Sequence, residues 1–429
     1  MLKENIPVGS IENVLGRAIS GGWIREADSA VIFFDLDFLR ERIRFLQSLF
    51  PNTTLHGLAI KANPLIRIME FTRGLGTGVE AASLGEVKLA LQTGYRPDQI
   101  LYDSPVKTKD ELEFALKTGI HINADNFSEL QRIDGLMKDI ITTSTIGLRI
   151  NPQVGVGTIL ESSVAGEYSK FGVPIKSNRA ALGEIFLRYP WLTGVHLHVG
   201  SQGCPVQMLI DGIGILFDFT GEMNEKRKNA GIAPVTIFDI GGGLPVSYQS
   251  DQEAPSMEEY VNSIRKMAPR LMTPAFRLMT EFGRWIYTNT GWTVSRVEYV
   301  KRDLSINTAM LHIGADLFVR ECLNPRDWQH EYSIYDQTGK RKTGSDDHPY
   351  NLAGPLCFSG DILAKGVILP RMEEGDYLVV HDTGSYTFSM WSRYNSRQSP
   401  CILGYNQDGE AFQLIRERES FDDLYNFWK

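Results

Sequence analysis

The stretch "HGLAIKANP", residues 56–64, sets a lysine at the point where an apolar run stops. Taking an ammonium group out of water costs several kcal/mol or drives off its proton. A lysine that gives up its proton easily is a nucleophile. Lys61 is followed along the chain by other polar residues that close apolar, strand-like runs. These are Glu80 in "GVEAAS", Asn151 in "LRINP", His198 and Ser201 in "HLHVGS", Gly241, Gly242 and Gly243 in "FDIGGG", and Glu281 with Arg284 in "EFGR". Glutamate and histidine supply acid–base groups. Arginine binds carboxylate or phosphate through a fork of N–H donors. Three glycines straight after a strand let backbone N–H groups approach an anion closely. Singly, each has a plain explanation: a tight turn, a solvated carboxylate, a structural histidine. In this order they ask for a common ligand. His196, two positions before His198, is expected to point to the other side of its strand.

The elements that must position these residues recur as an apolar run followed by a helix-like segment. "AVIFFDLD" leads to "FLRERIRFLQSLF", "LHGLAIKAN" to "PLIRIMEFTRGLG", "GVEAAS" to "LGEVKLALQTG", "QILYDSP" to "KTKDELEFALKTG" and "IHINAD" to "NFSELQRIDGLMKD". The runs "TIGLRINP", "TGVHLHVGS", "VTIFDIGGG" and "FRLMTEFGR" continue the series. About eight such units over about 250 residues predict an α/β fold, a TIM-like (β/α)8 barrel, with chemical residues at the carboxyl ends of its strands. After "EFGRWI" the texture turns β-branched and aromatic with Gly and Pro punctuation, which predicts a mostly antiparallel β domain. The expected layout is a barrel over residues 34–287 and a β domain built from both chain ends, residues 1–33 and 288–429.

Composition limits the function classes. The 429 residues carry a formal net charge of −8, which argues against a nucleic-acid surface. No apolar run approaches the roughly 20 residues of a membrane span. The opening "MLKENIPVGSIENV" lacks the basic-then-apolar pattern of a secretory signal. Four cysteines, 204, 322, 357 and 401, form no CxxC pair, so a reducing cytoplasmic setting is expected and no metal site is predicted.

The motifs "LAIKANP", "GVEAASLGE", "LRINP", "SKFGV", "GVHLHVGSQ", "FDIGGG", "EFGR", "GPLCFSGD" and "GSYTFSM" stand in the order found in the fold-type III decarboxylases that use pyridoxal phosphate (PLP). The chain resembles the diaminopimelate decarboxylases more closely and the ornithine decarboxylases more distantly. The resemblance implies that Lys61 joins PLP covalently and that Glu281 faces the pyridine nitrogen. A carboxylate there keeps the ring protonated and a strong electron sink. It implies that His198 stacks on the ring and that Glu80 supports the lysine and the ring. Gly241, Gly242, Gly243 and Ser201 would hold the phosphate, with Arg284 near the phosphate or the substrate carboxylate. Tyr386 in "GSYTFS" would contact the cofactor and substrate. "GPLCFSGD" carries Cys357, Ser359 and Asp361, and in similar enzymes this segment enters the partner subunit's site, so a homodimer with shared sites follows. Its cysteine would return a proton to Cα after CO₂ leaves, a task that suits a thiol of tuned pKa.

Three departures bear on the substrate, an amino acid. Phe358 stands where diaminopimelate decarboxylases have a glutamate, and ornithine decarboxylases an aspartate, to receive the distal ammonium. A phenyl ring offers only a weak cation–π contact. Arg320, in "HIGADLFVRECLNP", stands where a distal carboxylate would be gripped, although the companion tyrosine is absent; a plain surface arginine is the alternative. Phe282 replaces a small residue of the "E-x-G-R" motif and is expected to crowd the pocket floor. The leading expectation is a PLP-dependent α-decarboxylase of an amino acid or conjugated amino acid with altered distal recognition. The alternatives are a genuine meso-diaminopimelate decarboxylase, a racemase of the alanine racemase type on the same barrel, and a decarboxylase-like binding protein without activity.

Overall fold

The computed structural model describes residues 5–25, 27–344 and 346–429. They fall into two compact units. One is Ile43–Val246 with Ala254–Trp285; the other takes the chain up to Arg42, Ser247–Glu253 and Ile286–Lys429.

The first unit is a closed (β/α)8 barrel. Its parallel strands are, in chain order, Leu55–Ala59, Gly78–Ala81, Ile100–Asp103, His121–Ala124, Ile146–Asn151, Leu192–His196, Ile237–Asp239 and Arg277–Thr280. The fourth pairs with the fifth, and the eighth pairs back onto the first, which closes the ring. Helices begin where the sequence supplies caps. Ser83, Thr108 and Asn126 each accept a backbone N–H three residues on, at 3.2, 3.2 and 3.0 Å. These caps stand two, five and two residues past the ends of the second, third and fourth strands and set where the following helices begin. The lower interior is apolar, with Leu101, Ile237 and Met279 packed against Leu55.

The run "AVIFFD" was expected to open the barrel series. Instead Ala30–Asp35 lies in the second unit, antiparallel to Gly291–Lys301 and parallel to Cys401–Asn406. All six of its residues are buried, and a run buried on both faces reads alike in a barrel and in the centre of another sheet. The barrel begins one unit later than expected, at Leu55, and the helix Leu36–Leu49 runs from one unit into the other. The segment Ser247–Glu253 also falls outside the expected partition. Asn289 donates to the Ser247 carbonyl at 2.9 Å, the Ser250 N–H reaches Glu331 at 2.8 Å, and the Tyr248 ring packs edge-on to His330 at 4.9 Å.

The second unit is a nine-stranded sheet, mostly antiparallel with two parallel pairings. Its core is covered by the helix Val8–Ser20, whose Ile11, Val14, Leu15 and Ala18 are fully buried. Phe33 stacks on Trp292 with centroids 4.1 Å apart, and the Trp292 indole N–H donates to the Tyr405 hydroxyl at 3.2 Å. Among the described residues no helix is long and apolar enough to cross a membrane.

Candidate active site

The carboxyl ends of the barrel strands gather Lys61, Glu80, His198, Ser201, Gly241, Gly242, Gly243, Glu281 and Arg284 in one unit. Lys61 lies in a one-turn 3-10 segment, Ile60–Ala62, that follows the first strand. The turn is closed by the Asn63 N–H on the Ile60 carbonyl at 2.9 Å. The Lys61 side chain is 40% exposed and its Nζ donates to Glu80 Oε1 at 2.8 Å. The buried member of the pair is thus the acid. Burial pushes Glu80 up to about 8, with Glu281 and Asp103 adding like charge, against the pull of Lys61. Such a group can hold or release a proton at neutral pH. The lysine that is fully buried in this barrel is Lys107. Its Nζ is spent on the Ser104 and Asn123 carbonyls at 2.7 and 2.8 Å and on Glu129 at 2.7 Å. These contacts tie the loop after the third strand to the fourth strand and to the helix that follows it.

His198 is half-buried, and its Nδ1 accepts the Gly242 N–H at 3.2 Å. Burial, with Arg149 and Lys61 adding to it, lowers its pKa to about 3. It is a neutral ring at physiological pH. The glycine turn departs from expectation. Gly241 gives its N–H to Asp239 at 2.9 Å and Gly242 gives its own to His198, so neither is left for an anion. Gly243 alone of the three has no partner for its N–H among the described residues. A Cβ at Gly241 would overlap the Leu197 carbonyl, and at Gly243 the Gly200 carbonyl; both have positive φ. The glycines serve close backbone approach more than donation. Gln202 clips the turn to the neighbouring loop through the Val246 N–H and carbonyl at 3.1 and 2.7 Å. Arg284 Nε donates to Ser201 Oγ at 2.9 Å, so the hydroxyl accepts there and keeps its own proton to donate.

Beneath this rim lies a charged layer that sequence inspection did not pick out. Register sets Arg149 beside His196 and His196 beside Asp239, and sets Asp103 beside Asn123. Arg149 pairs with Asp103 at 3.1 Å, and Asn123 donates to Asp239 at 3.2 Å. His196 is fully buried and lies 3.3 Å from Glu281, so it is not turned away from the site. Glu281 Oε1 and Glu80 Oε2 are buried without a hydrogen-bond partner. Phe282 does not crowd the floor: it is buried edge-on against Tyr260 at 6.2 Å.

The other predicted residues, Arg320, Cys357, Phe358, Ser359, Asp361 and Tyr386, belong to the second unit. Cys357, Phe358 and Ser359 are exposed. The loop that carries them is held from inside by Asp361, whose carboxylate accepts the Ala315 and Leu356 N–H groups at 2.6 Å each. Asp361, expected beside the substrate, is 3% exposed and pins the loop. Asn395 accepts the Cys357 N–H at 2.7 Å. Arg320 is not a bare surface arginine. Its guanidinium stacks on Trp328 at 4.1 Å and donates to the Tyr386 carbonyl at 3.2 Å, and Tyr386 holds a positive φ of 55°.

Strand ends that bring a lysine against a buried acid, with a neutral histidine nearby, form a barrel site able to carry acid–base chemistry. Residues 36–288 match the pyridoxal binding domain of the pyridoxal-dependent decarboxylases. The chain belongs to this family and is a PLP-dependent amino-acid decarboxylase. It is 31% identical to a diaminopimelate decarboxylase of Pseudomonas fluorescens over 374 residues, 86% of this chain and 84% of that protein. It is 28% identical to that of Campylobacter jejuni over 405 residues, 93% and 96% of the two chains. The crystal structure of Helicobacter pylori diaminopimelate decarboxylase complexed with L-lysine superposes with a TM-score of 0.82 at 27% identity, covering 95% of this chain and 99% of that one. The residues present fit PLP: Glu281 offers a buried, unpartnered oxygen, and Gly243 with Ser201 offers donors for a phosphate.

Proposed function

We propose that this decarboxylase acts on an α-amino acid whose far end differs from the ammonium–carboxylate pair of diaminopimelate, being apolar, bulkier or conjugated. The observation that carries this is Phe358. The residue after Cys357 is a phenyl ring, 39% exposed and edge-on to Tyr394 at 6.3 Å, and it cannot serve as the charge partner that an ammonium would need. Arg320 supports the same conclusion, because its stack on Trp328 and its bond to Tyr386 leave only part of the fork for a substrate carboxylate.

In this account Lys61 holds the cofactor covalently and Glu80 exchanges a proton with it across 2.8 Å. The chemistry that PLP would supply when bound is an electron sink for the pair left at Cα as CO₂ departs. Glu281 would hold the pyridine nitrogen, and the neutral His198 would offer a ring face to the cofactor. Gly243, Ser201 and Arg284 would hold the phosphate. Cys357 of the partner subunit returns the proton to Cα, with Ser359 beside it.

A second reading, an ordinary meso-diaminopimelate decarboxylase, is favoured by the relatives at 28–31% identity over most of the chain. The two separate on one number. Losing the charge partner of a partly buried ammonium costs on the order of 2–5 kcal/mol, roughly thirty- to several-thousand-fold in specificity at 1.4 kcal/mol per tenfold. The unmodified protein should then be poor on meso-diaminopimelate, and Phe358→Glu should raise that activity. A kcat/KM of about 10⁴ M⁻¹s⁻¹ or more on meso-diaminopimelate would establish the second reading instead. A screen of acidic, apolar and conjugated amino acids, scored by CO₂ release against loss of optical rotation, identifies the substrate and excludes racemisation.

A further inference from the structure

His196 lies in the barrel interior with no exposed surface and with an acid at each ring nitrogen. Nδ1 is 3.7 Å from Asp103 Oδ1, and Nε2 is 3.3 Å from Glu281 Oε2. Neither contact has the alignment of a hydrogen bond. A neutral imidazole has one N–H and one lone pair. In this place it would turn the lone pair toward a carboxylate, whichever tautomer it adopted. Only the doubly protonated ring places positive charge, and no lone pair, at the nitrogen nearest each acid. The three residues could also be read as a metal triad. Their ligand atoms lie within 4.8 Å of one another, but Asp103 is already paired with the Arg149 guanidinium at 3.1 Å, a cation beside the place a metal ion would take.

We propose that His196 is a positioning residue, an imidazolium held beside Asp103 and Glu281 that aims Glu281 and keeps it a carboxylate. With Oε2 facing His196, Glu281 Oε1 is the oxygen left without a partner and so the one free to accept the N–H of a pyridine ring. The proposal rests on the reading that Glu281 faces the pyridine nitrogen. Charge in the layer argues the same way. Glu281 shares the interior with Asp103, Asp239 and Glu80, and like charges at this range push one another toward the protonated form. A protonated Glu281 would offer the pyridine nitrogen a donor, the opposite of what a ring N–H needs. Burial works to raise Glu281, yet His196 brings it below the usual carboxylate range. Burial likewise works against the charge on His196, but Asp103, Glu281 and Asp239 carry it up to about 9. Arg149, through Asp103, and the neutral His121 and His198 complete the surroundings. Asp103, paired with Arg149 at 3.1 Å and 3.7 Å from His196, fixes the charge that the imidazolium meets beside Glu281.

The test uses the PLP-loaded protein labelled with ¹⁵N-histidine. His196, assigned by its loss in His196→Gln, should show both ring nitrogens protonated at pH 7 and up to about pH 8. Signals of a neutral imidazole at pH 7 would overturn the proposal, and this arm needs no folded variant beyond assignment. In the second arm the absorbance band of bound PLP is compared in the unmodified protein, Glu281→Gln and His196→Gln. Both substitutions should displace the band in the same direction. His196→Gln should also lower kcat about ten-fold or more with KM changed far less, a size usual for coupled neighbours. A band displaced by Glu281→Gln but untouched by His196→Gln refutes the role of His196 and leaves Glu281 at the ring. A band untouched by both refutes the placement of Glu281.

Discussion

Substituting Asp361 by Asn changes one atom and should loosen the whole Cys357 loop. The Asp361 carboxylate accepts two buried N–H groups, from Ala315 and Leu356, each at 2.6 Å. Hydrogen bonds to a charged acceptor contribute about 1.5–3 kcal/mol each, and a buried donor left unpaired costs about 1–3 kcal/mol. Asparagine keeps one acceptor oxygen and turns an NH₂ toward the other N–H. The substitution should therefore destabilise the fold by about 3 kcal/mol, a sizeable part of the 5–15 kcal/mol that usually holds a domain together. Gly314 and Gly354 sit against the same carboxylate, and a Cβ at either would overlap its oxygens. Gly354→Ala should reproduce the defect, and Gly354→Ala combined with Asp361→Ala should cost less than the sum, because the overlap is relieved. Urea unfolding measures the stability loss, limited proteolysis reports the loop, and kcat should fall while PLP affinity holds. An Asp361→Asn protein with unchanged unfolding midpoint and unchanged kcat would refute the claim that this acid holds the loop.

Other outcomes follow from the same geometry. Mixing Lys61→Ala chains with Cys357→Ala chains should restore roughly a quarter of full activity if a two-fold dimer shares its sites; no recovery between dimers shown to exchange would place each site within one chain. His56, His121 and His381 are neutral at pH 7, each lowered to about 4 by burial. A lowered histidine leaves stability level above its unfolded value near 6.5 and reduces it as pH falls toward 4, on the order of 3 kcal/mol per residue. The urea midpoint should therefore drop between pH 6.5 and 4.5, and His381→Gln should flatten part of the fall; a level profile in the unmodified protein would contradict this. Arg227 donates to the carbonyls of Phe186, Pro190, Leu192 and Ala233, so Arg227→Met should destabilise by about 3 kcal/mol or more, as expected when buried acceptors lose a charged donor. A thermal or urea midpoint within error of the unmodified protein would dismiss that clamp.

The barrel and much of its rim were legible because strand ends in a parallel barrel are marked by the switch from apolar to polar residues, as at Lys61, Glu80 and Glu281. The charged layer below was not. "ILYD" and "IFD" read as apolar strands that happen to end on an acid, and only the cross-strand register brings Asp239 beside His196 and the interior geometry brings Asp103 within reach of it. His196 was set aside although residues two apart on a strand share a face; that rule was available from the sequence. "AVIFFD" went to the wrong sheet because a run buried on both faces carries no alternation to show its neighbours. The duty of Asp361 depends on N–H groups 46 and 5 positions away, which no local pattern announces.

The central claim, a PLP decarboxylase anchored at Lys61, is tested most directly by borohydride reduction of the purified protein, proteolysis and mass spectrometry of the lysine-containing peptides. A yellow protein is expected, with its reduced cofactor fixed to Lys61 and absent from Lys61→Ala. Cofactor fixed to Lys107 or any other lysine, or CO₂ release persisting at full rate in Lys61→Ala, would contradict it.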